Sequence, residues 1–490
     1  MHIIKLLEKA GLKYDFILNN HRVNGIKDDS REVLLDDIFF AIKGGQEDGR
    51  KFISEAINSG AKTIIYEGEI SKEFHQINYI KVVNIKRTLA LFCKIYYKDL
   101  TKKIKIIATT GTNGKTTITT LLLDFLSYSG EEVILIGTNG IYFKDEHYHS
   151  NNTTINIIKA YEVIKAAIKK GAKYLIMEVS SIGIREARVL YFDFDIVIFT
   201  NLTHDHLDYH KNMTDYKFSK AHLLWSVEES RKKAVIINND DENFSFLSSL
   251  VKTNIITYGM NKEASYQAIN VKKSLYETQF DIIVRNNKYN VKSSLVGGFN
   301  IYNLLALFAT IDFLKIDIST FSDFLRIYVS VSGRMNKIIY KNRTIIIDFA
   351  HTPSSVNNVL SSLKEFTNHK ICVVIGCGGN RDVAKRSIIA KIATKYADKV
   401  IFTTDNPRDE EPMDIINQMI NNLEYGNYEI ILDRKEAIYK ALNESRNDEV
   451  IAILGKGSEN HQIINGIYYP FKDKEVVYNW IYKNDAKNIK

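Results

Sequence analysis

The chain of 490 residues contains only three cysteines: Cys93, Cys372 and Cys377. Three thiols are too few for a disulfide framework. Cys372 lies within the apolar run ICVVIGC, where a buried thiol is expected rather than a redox or metal-binding one. The cysteine content therefore favours a reducing environment, and we expect a cytoplasmic protein.

Long apolar runs and blocks of like charge are also missing. No stretch of about 18 apolar residues occurs, which excludes a membrane-spanning helix. The first residues, MHIIKLLEKAGLKYDF, lack a signal-peptide core with a cleavage site. The net charge of +8 comes from 66 basic and 58 acidic residues without a basic block. We therefore expect no membrane insertion and no nucleic-acid partner.

The most informative feature is the segment 108–117, ATTGTNGKTT, which follows an apolar strand at 104–107. A helix is expected to begin at Lys115. Gly111 and Gly114 allow the backbone to turn sharply, so that its N–H groups can face a polyphosphate. This order of strand, glycines, Lys-Thr and helix predicts a nucleoside triphosphate site.

Two side chains complete that site. Lys115 supplies a positive charge for the β- and γ-phosphates, and the Thr116 hydroxyl is placed to ligate Mg²⁺. Thr109 stands where the usual P-loop pattern has its first glycine, so the motif is a variant P-loop.

The rest of the chain reads as α/β. Residues 1–100 predict a strand at 36–42, a helix at 51–60 and a strand at 61–67, and a lysine-rich linker is expected at 98–105. From 104 to about 330, strands and helices alternate, which predicts a parallel α/β domain; its further strands are expected at 173–181, 195–206 and 234–241.

After Gly333 a second series of five strands begins, with helices at 354–366 and 434–445 between them. In four of the five strands a polar cluster follows the carboxyl end, where open parallel sheets place ligands. These clusters contain several arginines and few acids, a composition that suits phosphates and carboxylates. Their charged or titratable residues are Arg334, Asp348, His351, Arg381, Lys385, Arg386, Arg408, Lys456 and Glu459.

Two further features of the central region suit a metal. Glu178 ends a strand after the P-loop helix, where P-loop proteins place a carboxylate for Mg²⁺. The segment HDHLDYH (204–210) offers three histidines and two aspartates. Zinc is conceivable there, but no cysteine or H-E-x-x-H spacing supports it. A second magnesium ligand is the interpretation we favour.

Taken together, these motifs resemble those of the Mur ligase family along essentially the whole chain. The matching strings are DSRE, DDIFFAIKG and EDGRKFI near the start, ATTGTNGKTT, NNTT (151–154), EVSS (178–181), FTNLTHDHLDYH (199–210), GGFNIYN (297–303), SGRM (332–335), DFAHTP (348–353), GGNRD (378–382), TDNPR (404–408) and GKGSEN (455–460).

The resemblance implies three α/β domains: an N-terminal UDP-substrate-binding domain at 1–100, a central P-loop domain with a parallel sheet that binds Mg-ATP at 101–332, and a C-terminal Rossmann-like domain for the incoming amino acid at 333–490. It also implies an ATP-dependent amide ligase of peptidoglycan-precursor synthesis. ATP would phosphorylate the D-glutamate γ-carboxylate of UDP-N-acetylmuramoyl-L-alanyl-D-glutamate. An amine would then attack the acyl phosphate, giving ADP and phosphate. The partners would be these small molecules, and a monomer is expected.

The resemblance further implies site residues. Those for ATP are Gly111, Thr112, Asn113, Gly114, Lys115, Thr116, Thr117, Asn300, Asn303, Arg334, Asp348 and His351. Magnesium would be held by Thr116, Glu178, His206 and Lys220, and Lys115 would join the last three in catalysis. Lys220 matches a lysine that CO₂ converts to a carbamate (N6-carboxylysine). A carbamate anion can ligate Mg²⁺, whereas an ammonium cannot.

The two other substrates have implied contacts as well. Those for the UDP-muramoyl dipeptide are Ser30 (at the uridine), Thr153, Thr154, Ser180 and Arg188. Those for the amino acid are Arg381, Asp405, Asn406, Pro407, Arg408, Gly455 and Glu459. The string DNPR indicates meso-diaminopimelate, because the Arg408 guanidinium can hold the distal carboxylate that lysine lacks. Glu459 suits the distal ammonium.

The chain departs from the common family pattern at four positions. Ile182 replaces the histidine of EVSSHG, and Glu186 stands where glutamine is frequent. Asn380 replaces the aspartate of GDRD, and Ser458 replaces the histidine of GKGHE. These changes affect the surroundings of the sugar-peptide and amino-acid contacts and leave the reaction class unaltered.

Three alternatives remain open. The same reaction could use L-lysine or another diamino acid such as lanthionine. Folylpolyglutamate synthetase shares the TGTNGKT-type loop, although the N-terminal 100 residues and TDNPR argue against it. A P-loop motor or regulatory NTPase would leave the C-terminal motifs without a role.

Overall fold

The computed structural model describes residues 1–14, 17–44, 47–70, 75–150, 152–421, 423–424, 426–446 and 448–487. Asn151, the first residue of the NNTT motif, lies outside these ranges. The chain divides into two compact units. The first contains Met1–Ala108, Leu126–Asp195 and Trp225–Glu228, and the second contains Thr109–Phe125, Ile196–Leu224 and Glu229–Lys490. The boundaries of the three predicted domains stay predictions.

The first unit begins with a small parallel sheet. Its elements are α1 (Ile3–Lys9), β1 (Ile26–Lys27), a 3₁₀ turn (Ser30–Glu32), β2 (Ile38–Ala41), a second 3₁₀ turn (Gly49–Phe52), α2 (Ile53–Asn58), β3 (Thr63–Tyr66), β4 (Asn78–Lys81) and α3 (Ile85–Tyr96). Strands β1 to β4 are neighbours in chain order and all parallel. The strands expected at 36–42 and 61–67 are β2 and β3, each shorter than predicted.

A second sheet segment follows in the same unit. Its elements are a 3₁₀ turn (Leu100–Lys103), β5 (Lys105–Thr110, of which the last two residues belong to the second unit), β6 (Val133–Gly137), β7 (Gly140–Phe143), β8 (Glu146–Tyr148), α5 (Ile157–Lys169), β9 (Tyr174–Glu178) and α6 (Ser181–Arg185). The order is β5-β9-β6-β7-β8. Strands β6 and β9 are parallel, but β7 and β8 form antiparallel hairpins.

The second unit opens with the P-loop helix and a further sheet segment. Its elements are α4 (Lys115–Tyr128, of which the last three residues belong to the first unit), β10 (Ile196–Phe199), α7 (Met213–Trp225, of which the last residue belongs to the first unit), β11 (Ala234–Asn238), α8 (Phe244–Ser249), β12 (Asn254–Gly259), β13 (Tyr266–Lys273), β14 (Thr278–Val284), β15 (Asn287–Ser293), α9 (Gly298–Phe313) and α10 (Ile318–Ile327). Strands β10 to β13 are parallel, whereas β13, β14 and β15 are antiparallel.

The predicted parallel α/β pattern from 104 to about 330 is confirmed, and β7, β8, β14 and β15 add antiparallel strands that were not predicted. The turn between β14 and β15 shows the physical reason. Arg285 and Asn286 both have positive φ, 48° and 67°. Two consecutive left-handed residues make the tight turn whose twist suits a two-residue hairpin, and such a hairpin forces antiparallel pairing.

The C-terminal part of the second unit confirms the predicted strand series. Its elements are β16 (Asn336–Tyr340), β17 (Arg343–Asp348), α11 (Pro353–Phe366), β18 (Ile371–Ile375), α12 (Ala384–Tyr396), β19 (Lys399–Phe402), α13 (Pro412–Ile420), β20 (Tyr428–Ile430), α14 (Arg434–Glu444), β21 (Val450–Leu454), β22 (His461–Ile464), β23 (Ile467–Pro470) and α15 (Asp473–Lys487).

These strands form a six-stranded sheet in the order β16-β17-β21-β18-β19-β20, in which only β16 is antiparallel. In β18, Ile371, Val373 and Ile375 pack into one core cluster, while Cys372 and Val374 pack into another on the opposite face. Helices cover both faces of the sheet, which explains why ICVVI is apolar without alternation. The fold of this part is the expected Rossmann-like one.

The three cysteines are free and buried, which confirms the buried thiol predicted for Cys372. Burial raises the pKa of the Cys372 and Cys377 thiols to about 12, which makes both poor nucleophiles at neutral pH. In the described part of the chain, no helix has the length and apolar character needed to cross a membrane.

A buried ion pair stabilises the C-terminal sheet. Arg434 Nε and Nη2 donate to the two carboxylate oxygens of Asp473, each at 2.8 Å, and both side chains are fully buried. Arg434 Nη2 also donates to the Leu454 carbonyl at 2.9 Å, at the end of β21. The pair thus ties the starts of α14 and α15 to the strand that leads into the GKGSEN loop.

We expect Asp473→Asn to lower the free energy of unfolding of this part by about 3–5 kcal/mol, because it leaves a buried guanidinium without its counter-charge. Urea unfolding in a Trp225→Phe background would measure the loss, since Trp480, in the adjacent core, is then the remaining tryptophan. The control is Lys472→Met, which removes an exposed pair with Glu475 and should cost at most about 1 kcal/mol. Equal losses for both variants would contradict this prediction.

Candidate functional site

The predicted phosphate loop joins β5 to α4, as expected. Gly111 has φ of +135°, and a Cβ there would lie 1.9 Å from Thr200 Oγ1. Gly114 has φ of +91°, and a Cβ there would lie 2.5 Å from Asn303 Oδ1. Both glycines are therefore required by conformation and by close approach.

A brace that we did not predict holds this loop from the end of β10. The Thr112 N–H donates to the Asn201 carbonyl at 2.8 Å, and the Asn113 N–H donates to Asn201 Oδ1 at 3.0 Å. The Thr200 hydroxyl donates to the Asn113 carbonyl at 2.6 Å. Thr200 and Asn201 belong to the FTNLTHDH string, so the position of that motif after a strand was the available signal.

Two lysines share one carbonyl of the loop. Lys115 Nζ donates to the carbonyls of Gly111 and Thr112, each at 2.9 Å. Lys220 Nζ, on α7, donates to the same Gly111 carbonyl at 2.7 Å and is fully buried. Burial and the Lys115 charge lower the pKa of Lys220 well below its ordinary value, although Asp205 acts in the opposite direction. The lowered pKa favours the neutral amine of Lys220, which is the nucleophilic form of a lysine.

The HDHLDYH segment lies next to this pair. Burial lowers the pKa of His206 to about 4 against the attraction of the adjacent Asp205 carboxylate, and the charges of Lys220 and Lys115 act in the same direction as burial. His206 has a positive φ of 55°, and its Nε2 lies 3.4 Å from Asp205 Oδ2. The neutral imidazole is the form that binds metals.

The two predicted adenine contacts lie on α9, beside the phosphate loop. Asn303 approaches Gly114, and its Nδ2 donates to Asn300 Oδ1 at 2.9 Å. Asn300 Nδ2 donates in turn to the Val296 carbonyl at 2.7 Å. The structure thus brings both asparagines to the candidate nucleotide site, and their contact with a base stays a prediction.

The C-terminal part contacts the phosphate loop through Arg334. Its Nη2 donates to Thr116 Oγ1 at 3.1 Å, and its guanidinium lies over the Phe349 ring at 4.5 Å. Asp348 is fixed by N–H groups of Met335 and Ala350, at 2.6 and 2.7 Å. A cation from the third segment therefore reaches the hydroxyl at the start of the P-loop helix.

Burial alters the protonation of two residues behind this contact. It raises the pKa of Asp348, partly offset by the Arg334 charge. It also lowers the pKa of His351, aided by Lys385, so that His351 is neutral at pH 7. His351 Nδ1 lies 2.8 Å from the Phe349 carbonyl.

A second contact between central and C-terminal segments joins two predicted loops. His204 Nε2 lies 2.9 Å from Asp382 Oδ2, and Arg381 Nη1 lies 3.5 Å from Asp208 Oδ2. The GGNRD loop, expected to bind an amino acid, thus faces the loop that carries His206.

The four C-terminal polar loops follow β17, β21, β18 and β19, which are successive neighbours in the sheet. These loops therefore lie at one edge of the sheet, the edge at which open parallel sheets place ligands. Gly455 has φ of +113°, and a Cβ there would lie 2.5 Å from Asp405 Oδ2. A Cβ on Gly379 would lie 1.9 Å from the Pro407 carbonyl oxygen. The loops therefore pack backbone against backbone.

Arg386 has a different role from the one the sequence suggested. Its guanidinium is fully buried and donates to both carboxylate oxygens of Glu410 at 2.8 and 2.9 Å, to Gln418 at 2.6 Å and to the Gly378 carbonyl at 3.2 Å. Glu410 also accepts from the Asn380 N–H. Arg386 ties the GGNRD and TDNPR loops together and is not exposed for an anionic substrate.

Arg408, in contrast, is only half-buried and keeps part of its guanidinium available. Nη1 donates to the Gly379 and Asn406 carbonyls at 2.8 and 3.4 Å. Within the described residues these are its only side-chain hydrogen bonds. The Arg408 backbone pairs with the β22–β23 hairpin through Ile463 and Asn465. The guanidinium is thus anchored on one side and can receive a carboxylate on the other.

The predicted contacts for the sugar peptide lie in the first unit, around the end of β9. Thr154 Oγ1 donates to the Glu178 carbonyl at 3.0 Å and lies 3.2 Å from Ser180 Oγ. Arg188 Nη1 donates to the Thr154 carbonyl at 2.8 Å. The Thr153 hydroxyl lies 3.1 Å from that of Thr138. These four predicted residues form one cluster.

Thr138, which sequence reasoning missed, connects this cluster to Glu178. Its hydroxyl and its N–H donate to the two Glu178 carboxylate oxygens at 2.9 and 3.0 Å. Ser30, by comparison, lies in a 3₁₀ turn of the N-terminal sheet and donates to Glu55 Oε2 at 3.0 Å. Ser30 thus belongs to the N-terminal sheet, whereas the Thr153–Ser180 group lies around the end of β9.

Two of the four departures from the family pattern have visible consequences. Glu186 forms an ion pair with Lys86 at 2.6 Å. Asn380 adopts φ of 51°, which suits asparagine, and its Oδ1 accepts from the Asp409 N–H at 3.1 Å. The backbone nitrogen of Ser458 lies so close to Gly333 that a Cβ on that glycine would be 2.1 Å from it, a contact that does not depend on the serine side chain. Ile182 is half-buried on α6, and nothing in the structure explains its substitution.

No group of three or more His, Cys, Asp or Glu side chains arranged to hold a metal occurs among the described residues. The zinc alternative for HDHLDYH therefore gains no support from geometry.

Comparison with known proteins gives matches along most of the chain. Family models match in three places: "Mur ligase family, catalytic domain" at residues 22–97, "Mur ligase middle domain" at 109–311, and "Mur ligase, glutamate ligase domain" at 333–457. Each match falls within one of the three predicted segments.

Relatives and a solved structure agree with these matches. The UDP-N-acetylmuramoyl-L-alanyl-D-glutamate--2,6-diaminopimelate ligase of Oceanobacillus iheyensis is 36% identical over 95% of each chain. The ligase of the same name from Caldanaerobacter subterraneus is 35% identical over 97% of this chain and 98% of its own. A solved structure of a ligase with that name is 29% identical, has a TM-score of 0.70, and is matched over 98% of this chain and 99% of its own. The chain therefore belongs to the Mur ligase family.

Proposed function

We propose that the protein is an ATP-dependent amide ligase that adds meso-diaminopimelate to UDP-N-acetylmuramoyl-L-alanyl-D-glutamate in peptidoglycan-precursor synthesis. The relatives named above carry this activity in their names. The reaction proceeds through an acyl phosphate on the D-glutamate γ-carboxylate and releases ADP and phosphate. We place it in the cytoplasm, where ATP and nucleotide-linked precursors are available.

One observation carries the proposal. Arg334, from the segment that bears the amino-acid loops, donates to Thr116 at the start of the P-loop helix. The nucleotide loop and the GGNRD, TDNPR and GKGSEN loops therefore belong to one arrangement of the second unit. A phosphate donor and an incoming amine can meet only if these two sets of loops come together, and a P-loop ATPase without an acceptor would have no use for the second set.

The residues have distinct tasks in this reaction. Lys115 and Arg334 stabilise charge as the γ-phosphate approaches the substrate carboxylate, since two anions must meet. Asn300 and Asn303, on α9, contact the adenine of the nucleotide. Thr153, Thr154, Ser180 and Arg188 hold the muramoyl dipeptide, and Ser30 contacts its uridine.

Magnesium is part of this proposal, and the donor chemistry suits it. Thr116 offers a hydroxyl, Glu178 a carboxylate fixed by two hydrogen bonds, and His206 a neutral imidazole. When bound, the ion neutralises phosphate charge. Lys220 fits the role of a carbamate, because reaction with CO₂ needs an unprotonated amine and the pKa of Lys220 is strongly lowered.

The choice of amino acid rests on the TDNPR and GKGSEN loops. Arg408 presents a partly free guanidinium for the distal carboxylate, and Arg381, Asp405, Asn406, Pro407 and Gly455 complete the contacts. Glu459 pairs with the distal ammonium. L-lysine and lanthionine remain the alternative substrates at this pocket, since both carry a distal amine.

Arg408→Ala should raise the KM for diaminopimelate by about 10–100-fold more than the KM for lysine. Only diaminopimelate has a distal carboxylate, so only its binding loses charge-assisted hydrogen bonds from Arg408. Steady-state phosphate release with each amino acid would measure both constants. Arg326→Ala, at an exposed arginine, is the control and should change neither. Equal changes in both KM values for Arg408→Ala would remove Arg408 from the specificity pocket.

The function itself is tested by phosphate release from purified protein. We expect release only when ATP, UDP-N-acetylmuramoyl-L-alanyl-D-glutamate and a diamino acid are all present, with the tripeptide product confirmed by mass spectrometry. Release that depends on none of the acceptors would support a motor or regulatory NTPase. Release with a folate and glutamate instead would support the folylpolyglutamate synthetase alternative.

A further inference from the structure

The proposed contacts leave one buried charge at the amino-acid loops without a role. Lys456, in the GKGSEN loop, is fully buried. Its Nζ lies 2.7 Å from Glu459 Oε2 and 3.0 Å from Asn406 Oδ1. Asn406 Nδ2 donates to the same Glu459 Oε2 at 2.9 Å, which closes a triangle of three side chains.

Two members of this triangle, Asn406 and Glu459, are proposed contacts of the incoming amino acid. Lys456 therefore lies directly behind the groups that would touch the substrate. We propose that Lys456 determines specificity as a positioning residue: by pairing with Glu459, it biases the pocket toward an amino acid with a distal carboxylate. This inference rests on the proposed function and extends it to Lys456, a residue to which that proposal assigns no role.

The first argument is geometric. Within the part of the chain that the structure describes, both hydrogen bonds to the Glu459 carboxylate fall on Oε2. Oε1 is left for a ligand, and the side chain is partly exposed. A substrate ammonium can thus bind Oε1 of Glu459 in a fixed orientation. Because Lys456 already compensates part of the negative charge of this carboxylate, the attraction between Glu459 and the ammonium is weakened.

The second argument is the balance of charge. Among the side chains proposed to contact the amino acid, Arg381 and Arg408 are cations, and Asp405 and Glu459 are anions. Two fully buried guanidiniums of this part of the chain, Arg386 and Arg434, are each paired with a carboxylate, of Glu410 and Asp473 respectively. The charges of the proposed contacts therefore balance by themselves, and Lys456 adds one positive charge directly behind them.

These features act differently on the two candidate substrates. The diaminopimelate side chain ends in both an ammonium and a carboxylate, so it adds no net charge to a positive pocket. The lysine side chain ends in an ammonium alone, which a positive pocket disfavours. Lys456 would therefore raise the KM for lysine more than the KM for diaminopimelate, without touching either.

The test is Lys456→Met, which keeps an unbranched side chain of nearly the same length and removes its charge. We expect the ratio of kcat/KM for diaminopimelate to that for lysine to fall about tenfold or more, chiefly through a lower KM for lysine. A structural role alone would reduce both values in parallel, so the ratio separates the two interpretations.

Lys472→Met is the matched control. Lys472 forms the same type of pair, with Glu475 three residues later at 2.7 Å, but on the exposed surface. The ratio should be unchanged in this variant. A ratio that is also unchanged in Lys456→Met, while the wild-type protein ligates diaminopimelate normally, would overturn the inference and leave the proposed function intact. A wild-type protein inactive with every diamino acid would instead refute the proposed function.

A folding defect is addressed by Lys456→Gln, which retains a hydrogen-bond donor toward Glu459 without the charge. We expect the same direction of change in the ratio. If Lys456→Met does not fold, the result with Lys456→Gln decides: a lower ratio supports the inference, and a ratio equal to that of the wild type overturns it.

Discussion

Lys115→Ala is expected to lower the rate of ligation by about 10³-fold or more, because it removes a charge that stabilises the transferring phosphoryl group. Phosphate release at saturating ATP, with both other substrates present, would measure the loss. Turnover within a few-fold of the wild type would contradict the role of Lys115 in the phosphate loop.

The same substitution also removes two hydrogen bonds from Lys115 to the loop carbonyls of Gly111 and Thr112. Lys115→Gln separates the two effects, since an amide can still donate to a carbonyl but carries no charge. We expect this variant to be nearly as inactive as Lys115→Ala. Substantial activity in Lys115→Gln would mean that the lysine acts through loop structure rather than through charge.

Lys220→Ala should be inactive and partly rescued by short carboxylic acids such as formate or acetate, which can supply the anion that the carbamate would provide. We expect the rate of ligation to fall about 10²–10³-fold, as for removal of one preorganised charged group. The rescued rate should saturate as the acid concentration rises. The measurement is phosphate release across a series of acids of increasing size.

Lys217 on the same helix provides the control for this experiment. Its ammonium lies 4.1 Å from the centre of the Phe246 ring rather than at the phosphate loop. Lys217→Ala should keep its activity and show no response to formate. ¹³C NMR after incubation with labelled bicarbonate should show a carbamate signal in the wild type that is lost in Lys220→Ala. An active Lys220→Ala variant would contradict the proposal that a carbamate on Lys220 is needed for the reaction.

The sequence predicted the parts of the fold that depend on local pattern. The five strands after Gly333 and the P-loop strand and helix were each marked by an apolar run followed by glycine or polar residues. The hairpins at β7–β8 and β14–β15 were missed. The outer strand of each hairpin, β8 or β15, is largely exposed and polar, and the turn at Arg285 and Asn286 lacks the glycine that usually marks a two-residue hairpin.

The site was predictable where a side chain acts through its own motif, and less so where it acts through a distant partner. Asn201 braces the phosphate loop from 88 residues away, and Thr138 holds Glu178 from 40 residues away. Neither residue type suggests such a role by itself. Arg386 shows the opposite error, because a guanidinium near glycine-rich loops suggests an anion site until its burial and its bonds to Glu410 are seen.

That arrangement around Arg386 bears on any attempt to redesign which amino acid the protein accepts. Because one interior guanidinium is shared by the segment with Arg381 and the segment with Arg408, a graft of either segment alone would leave it facing an incomplete set of acceptors. Exchanges at this end of the sheet should therefore transplant both segments together with Arg386 and Glu410.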